Sequence, residues 1–349
     1  MAKDFYIKES QLDEYQMRLL MSTLDRSMVV SGCAGSGKSV IALHKARRIQ
    51  EEKGNGYQII VFTKALAKYM NDGRSQLGLT KSFTYHWDWE NRMGCPSSDY
   101  VIVDEVQDFT KEEIATLKKA ARKGFFFFGD TAQSIFEGLK DTQDIRDIAY
   151  EAKVSEFPLY FNYRLPKPIA RITEDYIGKG TQYSEGTYKN TYSKKPRIIR
   201  YASVDDQIAA IKRIIDRGSL KDVGILLPHN EDVKMMYNKL TSMGINCECQ
   251  YHVGSYGSSD FERKESLNFD SDNPKIMTYH SAKGLQFETV FLPMCTASDE
   301  ERERKPLYVA MTRSYQDLYI MHSGNLSPFF RNVPVSLYET SEADKIDDI

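Results

Sequence analysis

Short runs of apolar residues alternate along the chain with stretches in which apolar side chains recur at helical spacing. In the first half, the runs are residues 28–30, 58–62, 100–103 and 125–128. The last run is four consecutive phenylalanines, which predicts a strand covered on both faces and therefore a core strand. Strands that alternate with helices predict a parallel sheet, whose functional loops lie at the carboxyl ends of the strands.

The pattern breaks at residues 157–166, and we place a domain boundary there. We expect a first domain at residues 1–157 and a second at residues 158–335. Residues 251–274 are rich in Gly, Ser and Asp and are predicted to be a loop or the remnant of an insertion, while residues 336–349 are predicted to be an acidic tail. The second series of predicted strands lies at residues 197–201, 223–227, 245–249, 275–278, 289–292 and 318–321. The predicted fold class is α/β, with two domains that each carry a mainly parallel sheet flanked by helices.

Composition limits the class of protein but does not identify a binding partner. The 349 residues fit two domains, and 47 basic against 49 acidic side chains give no strong overall field, so a nucleic acid would have to be bound by local charges. Five cysteines without paired C-x-x-C spacing argue against a disulfide scaffold or a zinc ribbon. No stretch has the length and apolarity of a membrane span, and the N-terminus lacks a signal-peptide core, which predicts a cytoplasmic protein without a membrane partner.

The most specific pattern follows the first apolar run. Residues 32–39 read Gly-Cys-Ala-Gly-Ser-Gly-Lys-Ser, a complete G-x-x-x-x-G-K-[ST] motif. Its glycines let backbone amides converge on phosphate oxygens, Lys38 supplies a charge for the β- and γ-phosphates, and Ser39 offers a hydroxyl to Mg²⁺. The alternative, an ordinary glycine-rich turn, is disfavoured by the strand before the loop and the helix after it. The predicted nucleotide contacts are Gly32, Gly35, Ser36, Gly37, Lys38 and Ser39.

Two acidic residues follow the apolar run at residues 100–103. Hydrolysis at a P-loop needs a carboxylate near Mg²⁺ and a second group that positions or deprotonates water. We assign Asp104 to the metal, beside the P-loop serine, and Glu105 to the attacking water. Acidic residues at strand ends are often merely solvated, but a complete P-loop on the same predicted sheet argues against that here. Arg164 and Arg313 are candidate cations that would approach the phosphates from outside the loop.

With these residues identified, the chain resembles a superfamily 1 helicase of the UvrD/Rep type. The resemblance rests on motifs that occur in family order from residue 16 to residue 313. The motifs are Gln16, residues 32–39, residues 62–64, the D-E-x-Q-D of residues 104–108, residues 129–135, residues 162–164, residues 278–285 and residues 307–313.

The resemblance implies two RecA-like P-loop NTPase domains, with ATP between them and single-stranded nucleic acid across their tops. It assigns Gln16 and Tyr163 to the adenine. It assigns Gln133, Arg164 and Arg313 to the γ-phosphate, with Arg313 as an arginine finger from the second domain. The positions that contact nucleic acid in relatives are Phe62, Thr63, His86, Thr278 and His280.

For several of these residues the sequence leaves two interpretations. Gln16 could instead be a surface residue of a helix. Phe62 lies at a strand end and is either a core residue or, if exposed, a stacking platform for a base. His280 could be a structural hydrogen-bonding group. Trp87 and Trp89 could be core anchors or strand contacts.

The chain departs from larger relatives of this type in three places. Residues 87–103 leave no room for the independent subdomain that relatives insert there. In the third motif, Ile135 is followed by Phe136-Glu137-Gly138, so the aromatic residue that stacks on the strand in relatives is missing. Gln286 stands where many relatives have glutamate, which leaves an altered ribose contact. The sequence therefore supports a minimal motor whose ATP hydrolysis is better founded than its duplex unwinding.

The leading hypothesis is an ATPase that depends on Mg²⁺, is stimulated by single-stranded DNA and translocates along it, 3′ to 5′ as the resemblance implies. RNA is the other candidate strand. The alternative is an ATP-controlled helicase-like subunit that acts with a protein partner, such as a nuclease in DNA repair or antiphage defence, and unwinds little by itself. A small-molecule P-loop kinase is disfavoured because it requires neither Tyr163-Arg164 nor Arg313.

Overall fold

The computed structural model describes residues 7–130, 141–178, 181–218, 220–255, 258–296 and 300–342. The chain divides into two compact units, a first unit of Met1–Tyr163 and a second unit of Arg164–Ile349. The boundary expected after residue 157 would fall inside a strand, Glu156–Leu159, which pairs with the strand leading into the P-loop. The predicted α/β fold class is confirmed in both units.

The first unit contains a parallel sheet and six α-helices among its described residues. The strands are β1 Met28–Gly32, β2 Tyr57–Val61, β3 Phe83–Tyr85, β4 Ser98–Asp104, β5 Ala121–Gly129 and β6 Glu156–Leu159. The helices are α1 Glu14–Met21, α2 Lys38–Lys53, α3 Lys64–Gly73, α4 His86–Asn91, α5 Lys111–Ala120 and α6 Ile145–Ala152. The sheet order is β3-β2-β4-β5-β1-β6, so the P-loop strand β1 lies between β5 and β6.

The core of the first unit follows from the apolar strands. Phe126, Phe127 and Phe128 on β5 are completely or almost completely buried, which confirms their assignment to the core. β5 pairs with β1 on one side and β4 on the other, so its side chains are covered above and below by helices, as a central parallel strand requires. This packing brings the carboxyl ends of β1 and β4, where the candidate chemistry lies, to one edge of the sheet.

The second unit is built on a larger sheet. Its strands are β7 Arg197–Tyr201, β8 Val223–Leu227, β9 Glu248–Val253, β10 Glu262–Glu265, β11 Lys275–Thr278, β12 Phe287–Leu292, β13 Ser314–Ser323 and β14 Glu339–Glu342. Its α-helices are α7 Lys167–Ile172, α8 Val204–Gly218, α9 Asn230–Ser242 and α10 Arg304–Met311, and a π-helical turn, Thr173–Ile177, follows α7. The order is β10-β9-β11-β8-β12-β13-β7-β14, and the neighbouring pairs are parallel except β10 with β9.

Two strands of this sheet lie where the sequence predicted irregular structure. Residues 251–274 were expected to be a loop, but they include β10, a strand of sequence Glu-Arg-Lys-Glu that pairs with β9 at the sheet edge. The expected acidic tail includes β14, which pairs with β7. Charged residues are common on edge strands, where they discourage pairing with other chains. Because both strands are rich in charged residues, a search for apolar runs did not detect them.

Among the described residues, every helix is too short or too polar to cross a lipid bilayer.

Candidate nucleotide-binding site

The P-loop joins the end of β1 to the start of α2, and two of its glycines are sterically required. Gly37 precedes α2 with φ of 88°, and a Cβ there would lie 2.4 Å from Nε2 of Gln16. A Cβ on Gly32 would lie 2.4 Å from Oγ of Ser36. Real Cβ atoms do not approach other atoms this closely, so a side chain at either position would displace the side chain of Gln16 or Ser36. The structure therefore gives a local reason for the glycine pattern.

Lys38 is buried and its ammonium turns back onto the loop. Its Nζ donates to the carbonyl oxygens of Gly32 and Cys33, at 2.7 and 3.0 Å. These bonds place the charge over the loop that precedes α2, whose N-terminus adds a partial positive charge. An anion bound at the loop would therefore meet both the ammonium of Lys38 and the N-terminus of α2.

Ser39 and Asp104 meet at the carboxyl edge of the sheet. The Ser39 hydroxyl donates to Oδ2 of Asp104 at 2.5 Å, although the two residues lie on α2 and at the end of β4. Asp104 is buried, and its Oδ1 accepts the backbone N–H of Glu105 at 3.0 Å. Burial, together with the neighbouring Glu105 carboxylate, raises the pKa of Asp104 to about 6. A carboxylate and a hydroxyl held together are the oxygen donors that suit Mg²⁺.

Glu105 follows directly in an unusual backbone conformation. Its φ and ψ are 59° and 41°, in the left-handed region that residues other than glycine rarely adopt. The side chain is buried, and its Oε2 accepts a hydrogen bond from Nε2 of Gln107 at 2.6 Å. In turn, Oε1 of Gln107 accepts the backbone N–H of Asp130 at 3.0 Å.

Gln107 therefore connects two of the recognised motifs, a role that sequence reasoning did not assign. It is fully buried, and a Cβ on Gly129 would lie 2.5 Å from its Oε1. The glutamine of the D-E-x-Q-D motif was the available signal, but a motif match alone does not show which neighbour its side chain contacts. Gln133, also predicted for the γ-phosphate, lies outside the described residues.

A second set of hydrogen bonds surrounds the P-loop on the side of α1. Gln16 is buried, so the alternative of a surface residue is wrong. Its Nε2 donates to the Ser36 carbonyl at 3.0 Å, and its Oε1 accepts the Asp13 N–H at 3.1 Å. Tyr163 donates its backbone N–H to the Gly35 carbonyl at 2.9 Å and its hydroxyl to Oδ2 of Asp13 at 2.5 Å.

Asp13 is the second residue that sequence reasoning missed. One carboxylate oxygen accepts the N–H of Gln16 at 2.7 Å, and the other accepts the Tyr163 hydroxyl. Burial and this carboxylate raise the pKa of Tyr163 above its ordinary value. The available signal was the capping-box spacing of Asp13 and Gln16, which predicts a helix start with both side chains engaged. The tyrosine ring remains 38% exposed, which leaves part of it accessible to a ligand.

The two predicted arginines belong to the second unit. Arg313 is buried, and its Nε, Nη1 and Nη2 donate to the Val309 carbonyl, the Leu285 carbonyl and the Thr312 hydroxyl, at 2.9, 3.2 and 2.9 Å. Arg164 is the first residue of the unit, and its carbonyl accepts a hydrogen bond from Asn190. Gln286 is half-buried and immediately precedes β12.

Of the predicted nucleic-acid contacts in the first unit, Phe62 is buried, whereas Thr63 and His86 are partly exposed. The ring of Phe62 is 5% exposed, stacks on His86 at a centroid distance of 4.5 Å and meets the edge of Phe109 at 5.1 Å. The structure thus shows that Phe62 is a core residue and is not an exposed stacking platform. Nδ1 of His86 hydrogen-bonds the Phe62 carbonyl at 2.8 Å, and Thr63 caps α3 by accepting the N–H of Leu66.

The two tryptophans differ in their exposure to solvent. Trp89 is buried, and its indole N–H donates to Oε1 of Gln58 at 2.9 Å, so it is a core anchor. Trp87 is 47% exposed, and the guanidinium of Arg92 lies 5.5 Å from its ring centre. Trp87 is therefore an accessible aromatic residue in the first turn of α4.

In the second unit, the corresponding residues follow β11. The Thr278 hydroxyl donates to the Ser281 hydroxyl at 3.0 Å and accepts the Ser281 N–H at 3.1 Å, which closes a turn after the strand. His280 is half-buried within this turn, and burial lowers the pKa of its imidazole, which favours the neutral ring.

Two family models match this chain, one in each unit. Residues 16–139 match the family described as AAA domain, and residues 275–321 match the family described as UvrD-like helicase C-terminal domain. The predicted relationship to UvrD/Rep-type superfamily 1 helicases is confirmed. The P-loop thus lies within the segment that matches the AAA domain, and Arg313 lies within the segment that matches the UvrD-like helicase C-terminal domain.

Three bacterial relatives illustrate the similarity. A "Probable DNA helicase II homolog" of Rickettsia conorii is 27% identical over 220 residues, covering 56% of this chain and 31% of that protein. "DNA helicase II" of Rickettsia typhi is 26% identical over 220 residues, covering 56% and 30%. A "Probable DNA helicase II homolog" of Rickettsia felis is 40% identical over 155 residues, covering 38% and 22%.

These alignments span only part of each relative, since less than a third of each of the three proteins is covered. Among solved structures, the C-terminal domain of a possible DNA helicase from Lactobacillus plantarum covers 51% of this chain and 98% of its own at 18% identity, with a TM-score of 0.37 that is too low to add to the assignment. Within this chain, residues 92–97 alone connect α4 to β4.

Proposed function

We propose that this chain is an Mg²⁺-dependent ATPase that is stimulated by single-stranded DNA and translocates along it, 3′ to 5′. The observation that carries the proposal is the contact between Ser39 and Asp104, with Glu105 next in the chain. It sets a P-loop hydroxyl, a buried carboxylate and a second buried carboxylate at the carboxyl edge of one sheet. Phosphoryl transfer to water needs these groups together.

Ser39 and Asp104 fit a magnesium site because both offer oxygen atoms to a hard cation and already lie within hydrogen-bond distance of each other. These two residues would hold Mg²⁺, which would supply positive charge to offset that of the phosphates. Gln16 and Tyr163 are proposed to hold the adenine. Both residues are already hydrogen-bonded to the P-loop backbone and to Asp13.

Glu105 is proposed to orient the attacking water and to accept its proton. Its carboxylate is buried, and the amide of Gln107 orients it through one of its oxygens, as the positioning of a general base requires. Lys38, Arg164 and Arg313, together with Gln133, are proposed to stabilise the charge that develops on the γ-phosphate.

For nucleic acid we propose contacts at Thr63, His86, Thr278 and His280, as in the resemblance. Phe62 would have to leave the core before it could stack on a base. Trp87 is a better placed aromatic residue, because almost half of its surface is exposed. Base stacking on such a ring contributes about 1–3 kcal/mol.

The proposal is tested by ATP hydrolysis with and without single-stranded DNA or RNA. We expect stimulation by DNA. We also expect Glu105→Gln to lower kcat by about 10²- to 10⁴-fold, because it removes the base, while ATP still binds. The matched control is Glu112→Gln, an exposed glutamate on α5, which should behave as wild type. Absence of stimulation by either strand would contradict the motor, and normal hydrolysis by Glu105→Gln would contradict the base assignment.

A second candidate function is an ATP-controlled subunit that acts with a protein partner. The short connection at residues 92–97 favours it, because larger relatives carry a subdomain in this region and this chain has no room for one. A partner that restores duplex unwinding to an otherwise weak helicase would support this candidate. Efficient strand separation by the isolated chain would contradict it.

A further inference from the structure

Lys45 is a buried lysine on the P-loop helix whose role the proposed mechanism does not include. It lies two helical turns after Lys38 on α2 and is only 1% exposed. Its Nζ contacts the carbonyl oxygens of Leu19 and Leu20, both at 3.3 Å, and the carbonyl and hydroxyl oxygens of Ser22, both at 2.9 Å. A lysine is seldom buried so deeply without a structural task.

All of these acceptors belong to the C-terminal end of α1. The last carbonyls of a helix lack partners within the helix and carry a partial negative charge, so a cation there is favourable. Arg48, one turn further along α2, donates to the carbonyls of Leu20 and Ser22 at 2.7 and 2.9 Å. The P-loop helix therefore supplies two cations that cap α1, and Phe126 lies beneath the first, 4.9 Å from Nζ of Lys45.

The opposite end of α1 contacts the P-loop itself. Gln16, in the first turn, donates to the Ser36 carbonyl, and Asp13, which caps the helix, accepts the hydroxyl of Tyr163. The helix is about 12 Å long, short enough to move as one body. A shift at its capped end would therefore displace Gln16 and Asp13 relative to the P-loop.

We propose that Lys45 is a positioning residue that fixes α1 against the P-loop helix and thereby sets the selectivity of the nucleotide site for adenine. This inference rests on the proposed function, because it takes Gln16 and Tyr163 as the groups that hold the base. Lys45 acts through α1 and contacts neither phosphate nor base. Its removal should therefore weaken discrimination between bases more than it weakens binding of phosphates.

The variant Lys45→Met should fold, because each acceptor keeps another donor. The Leu19 carbonyl still receives the N–H and hydroxyl of Ser22, at 3.3 and 2.6 Å. The carbonyls of Leu20 and Ser22 still receive the guanidinium of Arg48. Methionine also matches the length of the lysine stem, so no large cavity forms.

The experiment compares equilibrium binding of fluorescently labelled ADP and GDP to wild type and to Lys45→Met, with Lys53→Met, at the exposed end of α2, as the matched control. We expect the preference for ADP over GDP to fall about tenfold in Lys45→Met, within the range for residues that act through another group, while GDP affinity and the Lys53→Met preference stay unchanged. Arg48→Met, which removes the more accessible half of the cap, should lose part of the preference.

The outcomes separate the inference from the function on which it rests. Wild type that binds neither nucleotide would contradict the proposed function. Wild type that prefers ADP, with an equal preference in Lys45→Met and Arg48→Met, would overturn the role of Lys45. An equal fall in ADP and GDP affinity would also overturn it, because the lysine would then support the whole loop and not the base contacts.

Discussion

Lys38 in the first unit and Arg313 in the second are both predicted to act on the γ-phosphate, yet the fold holds them differently. Lys38 reaches two carbonyls of its own loop with one ammonium group. Arg313 uses all three guanidinium nitrogens, on a planar group whose acceptors include the Leu285 carbonyl, 28 residues away in sequence. Lysine is a point charge on a flexible stem, whereas the arginine fork has a fixed geometry.

The difference teaches what each cation can contribute. The acceptors of Lys38 belong to the P-loop, so a bound phosphate can take their place by a small rotation of the side chain. Arg313 must exchange three hydrogen bonds before it can approach a phosphate. We therefore expect Lys38 to contribute to nucleotide binding and Arg313 to contribute mainly to turnover.

The largest expected effect is on turnover. Arg313→Ala should lower kcat by about 10³- to 10⁵-fold, because an arginine finger stabilises charge only in the transition state. Lys38→Ala should also lose turnover, and it should weaken nucleotide binding as well. Steady-state ATPase assays with single-stranded DNA, combined with binding of labelled ADP, separate the two patterns.

The control for that comparison is Arg302→Ala, since Arg302 is a largely exposed arginine of the same unit. It should leave both kcat and binding near wild type. Equal losses of nucleotide affinity in Lys38→Ala and Arg313→Ala would remove the distinction between a binding cation and a turnover cation.

A smaller effect is expected on stability. Arg313→Met removes the donor to the Leu285 carbonyl. An unsatisfied buried group costs about 1–3 kcal/mol, so we expect a loss of about 1–3 kcal/mol in the free energy of unfolding of the second unit. Lys38→Met should lower stability by less, about 1 kcal/mol, because the Cys33 carbonyl keeps the N–H of Ser36 as a donor.

Urea unfolding can assign these changes to a unit. Trp87 and Trp89 both belong to the first unit, so tryptophan fluorescence follows that unit while circular dichroism follows both. Arg313→Met should shift the transition seen by circular dichroism more than the one seen by fluorescence. A larger shift from Lys38→Met would show that the lysine, and not the arginine, is the structural cation.

A separate effect concerns pH and a third buried basic residue, Lys45. Burial, with a further contribution from Arg48, lowers the pKa of Lys45 from 10.5 to about 7, and Glu52 partly opposes this shift. The unfolded chain keeps this proton up to the higher value, so between pH 7 and 10.5 it binds more protons than the folded chain and stability rises with pH.

In Lys45→Met this contribution is absent. The difference in free energy of unfolding between wild type and variant should be constant below pH 7. It should then rise in favour of wild type, by up to about 1.4 kcal/mol per pH unit. Fluorescence-detected urea unfolding at a series of pH values measures it. A difference that stays constant from pH 6 to pH 10 would show that Lys45 titrates at its ordinary value.

Features that depend on neighbours in sequence were predictable. The glycine at 37 answers a local demand, its left-handed backbone, and the apolar strands with intervening helices predicted two mainly parallel sheets. The residues at the end of β4 were placed correctly at the edge of the first sheet, because parallel strands share a functional edge.

Features that depend on distant neighbours were not predictable in the same way. The burial of Phe62 follows from His86 and Phe109, which come from other elements. The bond between Asp13 and Tyr163 joins residues 150 positions apart. A search for apolar runs could not detect β10, because an edge strand gains its stability from backbone pairing and side-chain charges are tolerated there.

The left-handed backbone of Glu105 has an evolutionary consequence. A residue with a Cβ in that conformation costs about 1–2 kcal/mol, which glycine would not, and asparagine tolerates it better. A library of variants screened only for heat resistance should therefore enrich glycine or asparagine at position 105, whereas a library screened for turnover should keep glutamate. The two screens would select different residues at this position. That difference would identify position 105 as a site where a carboxylate is placed at the expense of thermal stability.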